Sequence, residues 1–304
     1  MAIGSFAFRW ETRENGAIKH SNPIRLMKSL FETAARCLTA CEIEEKLRLA
    51  GQTAQAWRDG LLSLDCKDGP EPIGEPGHPD RPVLVAPDKV PKRGLGTKEG
   101  LSALVHAMAH IEFNAINLAW DAVYRFRDLP EQFYSDWIKV AEEEAYHFQL
   151  LRTRLNELGT DYGEFTAHNG LWDMAKRTAF DPMVRMALVP RVLEARGLDV
   201  TPGIIKRLRQ VGDEKTVAVL EIILHDEVEH VAIGSRWFKY FCQQRGLDSE
   251  QTFRELIRQY FTRQMSGPFD YEARQKAGFT ITELKALECM GISVAHSGKT
   301  PSNR

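Results

Sequence analysis

Glu144-Ala145-Tyr146-His147 and Glu227-Val228-Glu229-His230 are two copies of one pattern, a glutamate and a histidine three residues apart in stretches with helical apolar spacing. On a helix, positions i and i+3 share a face. Each copy can therefore offer a carboxylate oxygen and an imidazole nitrogen to one metal ion. The pattern alone is cheap: Glu75-Pro76-Gly77-His78 repeats it where proline forbids a helix. The weight comes from what accompanies the two helical copies. Glu112 stands 32 residues before Glu144, and Glu194 stands 33 residues before Glu227. The order Glu, Glu-x-x-His, Glu, Glu-x-x-His thus occurs with nearly equal spacing in both halves.

Working outward, these residues fall on four long helical segments. The first opens after Thr97, a suitable N-cap, and stops near Asp128 before Pro130. The second runs from about Pro130 to Leu158 and ends at Gly159. A short helix is expected over Leu171–Arg177. The third opens at Asp181-Pro182, a cap and first-turn pair, and its end is blurred by Gly197, Pro202 and Gly203. The fourth spans about Asp213 to Arg245 and ends at Gly246. Upstream, helices are expected over Ile24–Leu49, after Pro23, and over Ala54–Leu64, with Gly51 between them. Seven of the fourteen prolines lie between Pro70 and Pro91. Residues 67–96 therefore read as an irregular connection strapped across the domain that follows. Residues 249–290 add two or three short helices, broken at Gly267-Pro268, and the tail from Ser297 reads as frayed. Val83-Leu84-Val85 is the lone strand candidate. The expectation is an all-α chain: a helical leader (1–66), a Pro/Gly-rich strap (67–96), a four-helix bundle (97–246) and a C-terminal helical extension (247–304).

The faces support a shared core. Val105, Met108, Ala109 and Ile116 flank Glu112; Trp137, Val140, Ala141 and Phe148 flank Glu144; Leu220, Ile223, Leu224 and Val231 flank Glu227. The Glu194 face is mixed, with Ala187, Pro190, Arg191, Gly197 and Leu198. Four ionised carboxylates in one core would be costly if unpaired, and two divalent cations balance their charge. Mixed Glu and His ligands suit iron or manganese, and the absence of Cys from the set disfavours a structural zinc site. The expected grouping is Glu112 and Glu227–His230, Glu144–His147 and Glu194, holding two ions. Asp226 and Glu143, each directly before a ligand glutamate, are placed to accept the second N–H of a ligating imidazole.

Other residues have plainer readings. His106 and His110 lie off the Glu112 face and read as hydrogen-bonded core histidines. Trp120, Trp137 and Trp237 read as packing, and Lys206, Arg207 and Arg209 as a solvated helix face. Ala187, Gly197 and Gly234 are small and near the ligands, which would leave room for a substrate. Cys37 and Cys41, four apart, would share a helix face, and Cys66, Cys242 and Cys289 are scattered. An odd, scattered set of five suits a reducing compartment.

Composition sets outer limits. The 304 residues carry 40 Lys+Arg against 42 Asp+Glu and are 43% hydrophobic. That fraction excludes disorder throughout, and the near-zero net charge disfavours a nucleic-acid partner. No apolar run reaches the ~18 residues of a membrane span. Arg9, Glu11, Arg13 and Glu14 sit where a signal peptide would be apolar. The expected location is the cytoplasm.

These residues together resemble the ferritin-like di-iron carboxylate superfamily. More closely, the chain resembles the bacterial family known as domain of unknown function 455. The likeness runs through Pro91-Lys92-Arg93-Gly94-Leu95-Gly96, His110-Ile111-Glu112-Phe113-Asn114-Ala115-Ile116, Glu144-Ala145-Tyr146-His147-Phe148, Glu194-Ala195-Arg196-Gly197-Leu198-Asp199-Val200-Thr201-Pro202, Asp226-Glu227-Val228-Glu229-His230-Val231 and Gly267-Pro268-Phe269 to Ala277-Gly278-Phe279. The resemblance implies a ferritin-like bundle with a di-metal site at Glu112, Glu144, His147, Glu194, Glu227 and His230, filled by two irons or a manganese–iron pair. It implies an oxidoreductase that activates dioxygen or peroxide against an unidentified small molecule, served by an unidentified electron donor. The alternative is iron binding, storage or detoxification without an organic substrate. A homo-oligomer is compatible with either. Two departures narrow the class. Many di-iron oxygenases have a Thr one turn after the third-helix Glu, where this chain has Leu198, with Thr201 a turn further. Radical-forming relatives have a Tyr where this chain has Leu151.

Overall fold

A computed structural model describes residues 28–65, 69–91, 93–261 and 267–291. The N-terminal charges, the helix opening at Pro23–Ile24, Cys66, Lys92 and the tail from Ser297 lie outside those residues. The described chain is mostly helical, with almost no strand.

Local chemistry sets the ends of the long helices. α3 (Lys98–Arg125) is capped by Thr97, whose hydroxyl accepts from the Gly100 N–H at 3.0 Å. α4 (Glu131–Glu157) and α8 (Glu214–Gln244) stop at Gly159 and Gly246, which take the positive φ of 76° and 65° that ends a helix without a Cβ clash. Asp213 caps α8 by accepting from the Thr216 N–H. α3 packs along α4, and α8 packs against α4, α6 (Pro182–Leu188) and α7 (Ala195–Gln210).

The third segment is not one continuous α-helix. Between α6 and α7, Val189–Glu194 form a π-helical turn. Pro190 has no N–H to give to an α-helical bond, so the wider turn fits its position. The Pro190 ring needs space, and Gly234 on α8 supplies it: a Cβ there would fall 2.3 Å from Pro190 Cγ. Gly234 thus makes room for Pro190 rather than for a substrate. Gly234→Val should lower stability by about 1–3 kcal/mol through overpacking. Denaturant unfolding would show it, and an unchanged midpoint would mean that the π-turn yields freely.

The leader departs from expectation in register. α1 (Leu30–Thr39) and α2 (Ile43–Arg58) break at Ala40–Glu42, and Gly51 lies inside α2. The cause is Lys46. Its buried ammonium donates to the carbonyls of Cys37 (2.9 Å) and Leu38 (3.1 Å), the end groups that helix α1 leaves unpaired. Cys41 consequently lies beyond α1 and is exposed, while Cys37 is buried, so the two thiols share no helix face. Past α2, Leu62–Ser63 (β2) pairs in parallel with Lys28–Ser29 (β1) instead of extending a helix. Leu84 makes an isolated bridge to Ala167.

The strap is held by its backbone. Tyr124 Oη donates to Glu71 O, and Trp172 Nε1, on α5 (Gly170–Arg177), donates to Gly74 O. Downstream come α9 (Ser249–Tyr260), α10 (Tyr271–Lys276) and α11 (Ile281–Gly291). A single apolar core runs from Leu30 to Leu287, so leader and extension are built into it. Trp120, Trp137 and Trp237 are buried in that core. Lys206, Arg207 and Arg209 form an exposed face of α7. No described helix is long and apolar enough to cross a membrane.

Candidate metal centre

α3, α4, α8 and the π-turn bring all six sequence-selected ligands to one place. Glu144 stands at the centre. Its Oε1 lies 2.9 Å from His230 Nδ1, and its Oε2 lies 3.5 Å from His147 Nδ1. His147 Nδ1 is also 3.5 Å from Glu112 Oε2, and His230 Nδ1 is 3.9 Å from Glu227 Oε1. Ligand atoms of Glu112, Glu144, His147 and Glu227 lie within 4.8 Å of one another. Glu112 thus lies beside His147 and in one group with Glu227. Glu194, at the end of the π-turn, lines the same cavity as Glu112 and Glu227.

Burial defines the site's chemistry. Both histidines are fully buried, and Glu112 and Glu144 are 3% and 1% exposed. Glu112 Oε2, Glu144 Oε2, His147 Nδ1, Glu194 Oε2, Glu227 Oε2 and His230 Nδ1 are buried with no hydrogen-bond partner among the described residues. Buried polar atoms are ordinarily paired, so one orphaned atom on each of six side chains makes these residues candidate metal ligands.

The outer nitrogens are fully provided for, and crosswise. His147 Nε2 on α4 lies 3.0 Å from Asp226 Oδ2 on α8, while His230 Nε2 on α8 lies 2.9 Å from Glu143 Oε2 on α4. A carboxylate only accepts, so each Nε2 carries the proton and each Nδ1 is left for a ligand. Each acid thus serves the histidine of the opposite helix and ties α4 to α8. Asp226→Asn or Glu143→Gln should weaken metal affinity about 10–100-fold. A competition titration with a chelator would measure this, and unchanged affinity in both variants would remove the role.

Charge within the cluster is strained without a cation. Burial, and then the charge of Glu144, push the carboxyl of Glu112 well up and that of Glu227 to about 7. Burial, then Glu227, raise Glu194 as well. Burial opposes charge on His147, but Glu112 and Glu144 outweigh it and push its pKa up to about 12. His230 is raised similarly, by Glu144 and Glu143. Burial would raise Glu144 too, but the two histidines hold it below the usual carboxylate range. Raised groups bind protons in the folded state that the unfolded chain has lost. Their contribution is present at low pH and fades as pH rises, for Glu227 between about 4.5 and 7. Glu144 works the other way, contributing above the usual carboxylate range and losing that in acid. Metal ions would replace the protons. The gain in Tm from added ferrous or manganous ion should therefore grow from about pH 5.5 to 7.5. Calorimetric scans at both pH values check it; a larger gain at the lower pH would contradict it.

A cavity of about 530 Å³ adjoins the cluster on one side. Glu112, Glu194 and Glu227 open onto it, while Glu144, His147 and His230 lie behind them. Gly197 lines it, with no atom within 4 Å of where its Cβ would be. Ala187 is buried elsewhere. Thr201 reaches the cavity, whereas Leu198 is packed in the core, as is Leu151. His110 lines the cavity wall with both ring nitrogens engaged, Nδ1 at 2.8 Å from Tyr162 Oη and Nε2 at 3.1 Å from His168 O. His106 Nε2 accepts from the Gly163 N–H.

Sequence reasoning missed Arg191. It reads as part of the Glu194 face, but the π-turn carries it away into the C-terminal helices, where it pairs with Glu283 at 2.7 Å. Pro190, four residues before Glu194, was the available signal.

No solved structure matches the chain. A protein of Haemophilus influenzae described as an uncharacterized protein is 43% identical over 269 residues, covering 85% of this chain and 93% of that one. With residues 39–285 also matching the family described as "Protein of unknown function (DUF455)", the chain belongs to that family.

Proposed function

We propose that this chain is a ferritin-like di-iron or manganese–iron carboxylate oxidoreductase, which activates dioxygen or peroxide to oxidise a small molecule held in the adjoining cavity. The six convergent orphaned ligand atoms carry the reading. Glu112, Glu144, His147, Glu194, Glu227 and His230 would hold the ions, with Glu144 between the two imidazoles. When bound, such a pair supplies redox equivalents and a Lewis-acid surface. The protein's part is to orient. Asp226 and Glu143 lock the imidazoles in one tautomer. Burial of Glu144, His147 and His230 keeps bulk water from them. Glu112, Glu194 and Glu227 present the site to the cavity. A cavity large enough for an organic molecule favours oxidation over metal storage, which needs only a path for ions.

The test is metal analysis, with optical spectra before and after air, on protein from iron-supplied cells. About two ions per chain and a spectral change on oxidation are expected. Fewer than ~0.2 ions per chain would sink the di-metal reading. Far more than two would favour storage.

A further inference from the structure

We infer that the cavity beside the glutamates takes an apolar molecule bearing one anionic group, with Arg196 as the receptor for that group. The inference deepens the oxidoreductase reading and rests on it for the meaning of the cavity, but not for the cavity's chemistry.

Most of the wall is hydrocarbon, from residues such as Val192, Val200, Ile204, Ile223 and Phe269. A sugar or other polyol would leave hydroxyls unpaired against that wall, at a cost for each. Among the described lining residues, the ionic side chains are Glu112, Glu194, Glu227 and Arg196, alongside His110 and His168. The three glutamates belong to the metal cluster, where two divalent ions would balance them together with Glu144. His110 has both ring nitrogens engaged by the protein, at Tyr162 Oη and His168 O, and offers none to a ligand. Arg196 is then the remaining permanent charge on the wall.

Arg196 is also weakly committed. Among the described residues its nearest acid, Asp199, lies 3.5 Å from Nη1, and that nitrogen makes no hydrogen bond. Asp199 is taken elsewhere. Its Oδ1 accepts from Arg274 Nε (2.8 Å) and the Asp270 N–H (2.9 Å), and its Oδ2 accepts from Arg274 Nη2 (2.7 Å). Both members of the Asp199–Arg274 pair are fully buried, so they neutralise each other. The guanidinium of Arg196 is left with capacity for one carboxylate, in the fork geometry that Arg offers. Polyanions such as nucleotides would find a single cation facing an apolar wall. Arg196 precedes cavity-lining Gly197 and follows Glu194 by two residues, so an acid anchored there has its apolar body next to the glutamates.

The experiment titrates decanoate, decanol and decyltrimethylammonium into the full chain, metal-free and metal-loaded, by calorimetry. The same titrations are made with Arg196→Ala, Arg196→Lys and Gly197→Leu, each checked for an unchanged unfolding midpoint. Decanoate should bind about tenfold or more tightly than decanol, the worth of one charged hydrogen-bonded pair. Arg196→Ala should reduce decanoate to the level of decanol, and Arg196→Lys should restore part of the difference. Gly197→Leu should weaken both by filling the cavity. Equal binding of acid and alcohol, or no effect of Arg196→Ala, overturns the anionic end. No binding of any probe, or preference for the ammonium, overturns the class. Metal content, measured on the same samples, separates the outcomes: decanoate binding without metal uptake removes the di-metal reading alone, and metal uptake without decanoate binding removes this inference alone.

Discussion

Glu144→Gln is expected to take the protein from about two bound ions per chain to fewer than ~0.2, with the fold retained. Glu144 stands between His147 and His230, within 3.5 Å of each Nδ1, so its loss touches both halves of the cluster. Gln keeps the shape and removes the charge. Without that charge, four carboxylates become three, and the group that the two histidines hold ionised disappears. Far-UV circular dichroism separates ligand loss from unfolding, and metal analysis gives the number. Retention of both ions in a folded Glu144→Gln protein would contradict the central role. The metal-free variant should also lose part of what raises His147 and His230, since Glu144 contributes to both beside Glu112 and Glu143. Proton NMR of the two imidazoles would report that change.

Glu283→Ala should destabilise the protein by about 3–5 kcal/mol, the loss expected when one partner of a buried ion pair is removed. Glu283 on α11 and Arg191 on the π-turn are both fully enclosed, 2.7 Å apart. The guanidinium sits over the rings of Phe238, Phe253 and Phe279, at 4.9, 4.1 and 4.4 Å. Burial already lowers the pKa of Arg191, and Glu283 is the main group opposing that shift. Truncation would strand a cation in an aromatic cage. The double change Arg191→Met with Glu283→Leu should cost far less, because apolar groups need no partner there. Equilibrium unfolding in denaturant distinguishes the two. A loss below about 1 kcal/mol in Glu283→Ala would show that water reaches the pair. Because Arg191 and Glu194 share the π-turn, the C-terminal helices are part of what positions Glu194.

Much of this was legible in the chain itself. Three of the four long helices, α3, α4 and α8, show because caps and stops are local: Thr97, Asp213, Gly159 and Gly246 act within a few residues of where they stand. The candidate ligands show because i, i+3 spacing and repeated order are properties of the string. The leader and the third helix were read less well for a common reason. The break after α1 depends on Lys46 reaching back to two carbonyls, and the shape near Glu194 depends on Pro190 finding Gly234 on another helix. Neither partner is visible in a local window.

The division is clearest at the histidines. Sequence alone determined that the chain is helical, that Glu144–His147 and Glu227–His230 present paired donors on one face, and that Asp226 and Glu143 are acids beside them. Only the tertiary structure decided that the acids act across the interface, Asp226 on His147 and Glu143 on His230. It likewise decided which glutamates meet the cavity and which lie behind. Helical periodicity assigns a residue to a face, but which opposing atom that face meets depends on the packing of α4 against α8, and that packing is a property of the whole core.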